Sequence, residues 1–138
     1  MIKNKLLGID YGKKRCGISI TDNFKKLAIG LICINTNNLI NFLKVIIVKE
    51  NINIIVLGLP KKKNNKDQFI TKEIRSLKNK ILNIFPKLII DFVDERYTSN
   101  ISKYYLNEIK FPKNKIKEET NIMSAILILQ SYLKINNL

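Results

Sequence analysis

Asp10 ends the apolar run Leu6-Leu7-Gly8-Ile9 and is followed by Tyr11-Gly12-Lys13-Lys14 and then Arg15. A carboxylate at a strand exit, beside a glycine and basic side chains, suits a metal or phosphate site. An Asp also favours hairpin turns for its own backbone hydrogen bonding, and this stretch alone leaves both readings open. A second acidic cluster, Asp94-Glu95-Arg96, closes the strand read over residues 88–93. Carboxylates from separate strand ends can hold divalent metal, which in two-metal nucleases stabilises the attacking and leaving oxygens of a phosphodiester. The plainer reading of Glu95 is a surface ion pair with Arg96. The chain has no His, which removes His triads, His general bases and His metal ligands together. Any metal here must be held by oxygen, which favours magnesium, manganese or calcium. Cys16 and Cys33 sit in apolar, strand-like runs without CxxC spacing. They are expected to be reduced core residues, not a disulfide or a zinc site.

The elements that must position these groups can be read from periodicity and turn chemistry. Strands over 5–10 and 15–22 form a hairpin, with Gly12 expected to supply the permissive backbone of its turn. A third strand over 24–34 completes an antiparallel meander. Residues 39–50 place Leu39, Ile40, Leu43, Ile46 and Ile47 at helical spacing, with Thr36 or Asn37 as the cap. Residues 52–57 are continuously apolar, as in a strand buried on both faces of a parallel sheet, and lead into Gly58-Leu59-Pro60. After a basic loop over 61–66, Asp67 is expected to cap a helix with Phe69, Ile70, Ile74, Leu77, Ile81 and Phe85 as its apolar stripe, stopped by Pro86. A fifth strand over 88–93, a helix over 98–108, a loop over 110–117 and a last helix over 118–135 complete the chain. Residues 122–129 are apolar nearly all round, so that helix should pack deep against the sheet.

This order predicts an α/β fold in a single domain over 1–138. Right-handed crossovers lay the last two strands parallel beside the first, giving a five-stranded mixed sheet with helices on both faces. The exits of strands one, four and five then share one edge, so that Asp10 and Asp94-Glu95 face a common cleft.

The net charge is +14 over 138 residues. A polyanion, most plainly nucleic acid, is the partner such charge suits. Composition weakens that inference. Ile, Lys and Asn make up roughly half the chain and Arg stands only at 15, 75 and 96; adenine- and thymine-rich codons alone can supply such lysine. No apolar run approaches the roughly 18 residues that span a membrane, and the N-terminus enters a strand without a signal-peptide core. No membrane partner and a cytoplasmic location are expected.

Four ordered segments carry a resemblance that covers nearly the whole chain. GIDYGKKRCGISITD (8–22) resembles a GxDxGxxRxGxAxxD signature with Ser19 in the Ala place. VLGLP (56–60) is similar to VVGLP, VDERYTS (93–99) to a DERhTT segment, and SAILILQSYL (124–133) to an AAxxILQxYL helix. These are the segments of the YqgF family of RNase H-like proteins, which look like Holliday-junction resolvases and are regarded as nucleases maturing the 5′ end of pre-16S ribosomal RNA.

That resemblance implies Asp10 and Glu95 as metal ligands for magnesium or manganese. It gives Arg15 a supporting or phosphate-holding role, Asp22 a structural one, and glycines 8, 12 and 17 close backbone approach and tight turns. Two departures stand out. The family's third acid, at the start of the last helix, is Asn121 here; an amide oxygen binds a hard cation without adding charge, so metal affinity should fall. Glu118, one turn earlier on the same face, is a candidate substitute, whereas Gln130 and Ser131 read as helix surface. The loop Lys61 to Lys66 is more basic than the family's usual Gly-containing loop.

The reading is a metal-dependent nuclease acting on RNA, with pre-16S rRNA or pre-ribosomal particles as partner and branched DNA as the second substrate. Asp10, Glu95, Asn121 and Arg15 form its site; Lys13, Lys14, Lys61, Lys62, Lys63 and Arg96 hold the nucleic-acid backbone. The rival reading is a non-catalytic RNA-binding ribosome-assembly factor, favoured by Asn121. A sugar-kinase or actin-like nucleotide binder also opens with GxDxG but needs two domains around the nucleotide, and no P-loop occurs.

Overall fold

The structure is a computed structural model describing residues 4–60, 65–94 and 113–136. The expected helix over 98–108 lies outside the described residues. Strands β1 (Lys5–Asp10), β2 (Arg15–Thr21) and β3 (Ala28–Asn35) precede a 3₁₀ turn (Thr36–Asn38) and helix α1 (Leu39–Lys49). Then come β4 (Ile52–Leu59), α2 (Asn65–Ile84), β5 (Ile89–Asp94) and α3 (Lys113–Ile135). The five strands form one sheet in the order β3-β2-β1-β4-β5. The β1–β2 and β2–β3 pairs are antiparallel, and the β1–β4 and β4–β5 pairs parallel. The mixed sheet expected from the β-β-β-α-β-α-β order is therefore the one formed.

Side chains alternate across the pleat, which divides the core into two layers. Leu7, Ile9, Cys16, Ile18, Ile20, Ile55 and Leu57 face α1 and α2, meeting Leu39, Leu43 and Ile47 from one helix and Ile74, Leu77 and Ile81 from the other. Leu6 and Val56 face the opposite side and meet Ile128, Leu129, Tyr132 and Leu133 of α3. The unalternating apolar run of β4 is thus buried from both faces, as a central parallel strand requires. Tyr132 of α3 donates its hydroxyl to Asp91 of β5, carrying the helix as far as that edge strand.

Several element ends differ from expectation, each for a local reason. β3 begins at Ala28, not residue 24. The Asp22 carboxylate accepts from the Lys26 and Leu27 amides at 2.9 and 3.2 Å, and Lys25 takes a left-handed φ of 58°, so the chain is turning where a strand was expected. α1 has no side-chain cap: Asn38 holds the N-cap position, and the Thr36 hydroxyl is committed to the Gly12 carbonyl. α2 begins at Asn65, two residues before the expected cap Asp67. α3 begins at Lys113, directly after Pro112, which absorbs most of the expected loop. Gln130 is not idle helix surface: its amide accepts from Ala28 N at 3.0 Å and donates to Lys26 O at 3.3 Å, fastening α3 to the β2–β3 turn.

Candidate functional site

The parallel register sets the edge at which the acids gather. Ile9 lies beside Leu57, Gly58 beside Val93 and Leu59 beside Asp94. The carboxyl ends of β1, β4 and β5 therefore reach one side of the sheet together, bringing Asp10, Leu59 and Asp94 to it. Glu95 and Arg96, and the loop lysines Lys61, Lys62 and Lys63, lie outside the described residues. Asp10 is the last residue of β1 and only 8% exposed. Alternation from Leu6 and Gly8 places it on the α3 face of the sheet.

A row of paired residues crosses the sheet at this level: Asp10 beside Gly17, and Gly17 beside Cys33. Above the middle of the row sits α3. A Cβ placed on Gly17 would lie 2.0 Å from the Asn121 carbonyl oxygen, 2.3 Å from its carbon and 2.8 Å from Ile122 N. The Asn121 backbone thus rests on bare Cα, an approach open only to glycine. One turn along the helix, Ser19 Oγ donates to the Ala125 carbonyl at 2.7 Å, buried from solvent. A Cβ on Gly8 would meet Ala125 O at 2.9 Å and Leu129 Cβ at 2.8 Å. The helix is seated on β1 and β2 by this series of close contacts, with Asn121 at the end nearest Asp10.

The Asn121 side chain is engaged on the β3 side of the row, its Nδ2 donating to Cys33 Sγ at 3.9 Å. Cys33 is half-buried, so of the two cysteines expected in the core only Cys16 is fully enclosed; both are free thiols. Burial pushes the Cys33 thiol pKa up; the Asn121 hydrogen bond opposes this, Glu118 adds to it, Arg15 opposes it and Asp10 adds to it. Cys33 lies in the row with Gly17 and Asp10, and its hydrogen bond with Asn121 ties that row to the α3 face. Arg15 shares that face with Gly17 by alternation along β2, and Glu118 is exposed one turn before Asn121.

The turn after Asp10 is braced from three sides. Thr36 Oγ1 donates to Gly12 O at 2.6 Å, and Thr36 N to Lys14 O at 3.0 Å. The Tyr11 hydroxyl donates to Glu73 of α2 at 3.1 Å. Lys13 Nζ stands 5.7 Å from the centre of the Phe69 ring, also on α2. Gly12 does not use the positive φ expected of it; its requirement is space, since a Cβ there would lie 2.5 Å from Arg15 O. Lys13 and Lys14 are exposed beside Asp10. Tyr11, Thr36 and Ser19 escape a motif reading because their partners lie 62, 24 and 106 residues away.

The described donors suit a hard divalent cation in kind: a buried carboxylate at Asp10, an amide at Asn121, a carboxylate at Glu118, and no imidazole anywhere. Among the described residues no three His, Cys, Asp or Glu side chains form a metal-sized group. Among the same residues no helix is long and apolar enough to cross a membrane.

Comparison with known proteins bears on this edge of the sheet. Residues 4–135 match the model of the RuvX family, described as Holliday junction resolvase. A protein of Karelsulcia muelleri named "Putative pre-16S rRNA nuclease" is 42% identical over 136 residues, spanning 95% of this chain and 99% of its own. A Porphyromonas gingivalis protein of the same name is 36% identical over 131 residues, spanning 94% and 95%. The crystal structure of fowlpox virus resolvase with its Holliday junction DNA superposes with a TM-score of 0.52 at 13% identity, covering 96% of this chain and 98% of that one. At that identity the likeness shows the fold, the RNase H-like nuclease fold.

Proposed function

The chain belongs to the RuvX Holliday junction resolvase family, and from that premise we propose that it is a nuclease hydrolysing phosphodiesters at the 5′ end of pre-16S rRNA. The observation that carries this reading is Asp10: a carboxylate 8% exposed, at the exit of a central strand, on the face where α3 brings Asn121.

Asp10, Glu95 and Asn121 would hold Mg2+ or Mn2+, with Glu118 as a further oxygen donor on the α3 side. Such an ion, when bound, lowers the pKa of water and neutralises charge developing on phosphodiester oxygens. The chain's own groups do the rest. Arg15, on the same face, holds a phosphate by its fixed fork of donors. Lys13, Lys14, Lys61, Lys62, Lys63 and Arg96 hold the backbone on either side electrostatically. Leu57 and Ile9, paired side by side and fully buried, keep the strand end that bears Asp10 rigid.

A second reading is favoured by Asn121, an uncharged ligand whose amide is engaged with Cys33. It makes the chain an RNA-binding ribosome-assembly factor that holds RNA without cutting it. Cleavage of a labelled RNA spanning the 16S 5′ end decides between them, measured with Mg2+, with Mn2+ and with chelator, for the native chain and for Asp10→Asn. The nuclease reading expects cutting that requires both metal and Asp10. Binding without cutting, indifferent to chelator, establishes the assembly factor instead. A four-way DNA junction run alongside tests the resolvase substrate, and preferential junction cutting would replace RNA as the substrate.

A further inference from the structure

We infer that Gly17 is a positioning residue: its missing side chain sets the distance between Asp10 and the groups that α3 presents opposite it, Asn121 and Glu118. The inference rests on the nuclease reading and extends it. Gly17 is the residue that touches both sides of the site. It is paired with Asp10 across β1–β2, and the Asn121 carbonyl lies against its Cα. A methyl group there would come within 2.0 Å of that oxygen and 2.3 Å of its carbon. Both are backbone atoms of a helix, so no side-chain rotation relieves the overlap; the whole first half of α3 must lift.

The other close approaches differ. At Gly30 an added Cβ meets Ile122 Cγ2 at 2.7 Å and Ile126 Cδ1 at 3.2 Å. Those are side-chain atoms and not helix backbone: Ile126 Cδ1 can turn aside, and the β-branched Ile122 yields by a small side-chain shift, without lifting the helix axis as a backbone clash does. At Gly8 the crowding falls on Ser19 of β2 and on Ala125 and Leu129 of α3, the latter two one to two turns beyond Asn121. Gly17 alone among these three couples helix height directly to the Asp10 row. Ligand geometry is strict for small divalent ions, so a lift of a few tenths of an ångström costs affinity before it costs the fold.

The test is Mn2+ titration by calorimetry on Gly17→Ala, Gly30→Ala, Asp10→Asn and the native chain, with circular dichroism and thermal melts on each. Gly17→Ala is expected to keep its secondary structure, melt lower, and bind Mn2+ about tenfold more weakly or worse. Gly30→Ala is expected to melt lower but bind Mn2+ within about twofold of the native chain. Gly17→Ala that melts lower yet binds Mn2+ as the native chain does would make Gly17 a packing residue only and overturn the inference. If Gly17→Ala does not fold, Asn121→Gln decides: the backbone is unchanged and one methylene carries the amide past the depth that Gly17 sets. Weaker Mn2+ binding by Asn121→Gln is expected; equal binding overturns the inference. Native chain and Asp10→Asn binding Mn2+ alike would overturn the nuclease reading, and this inference with it. Loss confined to Asp10→Asn leaves that reading standing and removes Gly17 alone.

Discussion

The hydroxyl of Thr36 donates to the carbonyl of Gly12 at 2.6 Å, joining the segment before α1 to the turn that follows Asp10. The two residues are 24 apart in the chain. The same threonine lies 3.4 Å from Cys16 Sγ and donates its amide to Lys14 O. Thr36→Val keeps the side-chain shape and removes the hydroxyl. It should destabilise the fold by about 1 kcal/mol and lower cleavage more than the melting temperature suggests, because the strand exit bearing Asp10 loses a brace. Denaturant melts and initial rates on the same preparation check this.

Asn121→Asp puts a carboxylate where the resemblance implies the family's third acid; α3 begins at Lys113, so this position is about two turns into the last helix and not at its start. With Asp10 on the same face, a second charge should raise Mn2+ affinity about tenfold and raise the cleavage rate at limiting metal. Calorimetry measures the first and a metal-dependence curve the second. Unchanged affinity would place residue 121 outside the metal's ligands and leave Glu118 as the α3 donor.

Lys13 and Lys14 stand exposed at the turn beside Asp10. Replacing both by Ala should weaken RNA binding across sequences and reduce the slope of log affinity against log salt by about 1 to 2. Filter binding from low to moderate salt reads the slope. An unchanged slope would mean that these lysines do not touch phosphate and that the charge excess is compositional.

Two tyrosines make stability fall in alkali. Burial, then the hydrogen bond to Glu73 and its charge, push the Tyr11 pKa up to about 12; burial, then Asp91, do the same for Tyr132. Both phenols are more acidic unfolded, near 10. Their contribution is complete below pH 10 and is lost as pH rises toward 12, because only the unfolded chain has then released the protons. Melts between pH 9 and 12 should show a loss on the order of 1 kcal/mol per tyrosine, discounted for solvent screening. Tyr132→Phe should flatten its share of that fall.

The fold was legible because its evidence is local. The apolar run Leu6–Ile9, the unbroken apolar run of 52–57 and the helical spacing of Leu39, Leu43, Ile46 and Ile47 each record a burial pattern in consecutive residues. Element ends were less legible. The Asp22 carboxylate holding the Lys26 and Leu27 amides overrides the apolar look of Phe24 and Leu27, since satisfied backbone donors in a turn compete with strand pairing.

By itself the sequence determined the order of the described elements, the absence of imidazole and the acid at the exit of the first strand. Only the tertiary structure decided that Asp10, Gly17 and Cys33 form one row, that the Asn121 carbonyl rests on Gly17, and that Gln130 is a tether and not surface. The physical reason is distance along the chain. Gly17 and Asn121 are 104 residues apart in sequence, and nothing in either neighbourhood encodes the contact. It exists because a crossover fold brings the last helix down on the first hairpin, and because one residue there has no side chain to keep it away.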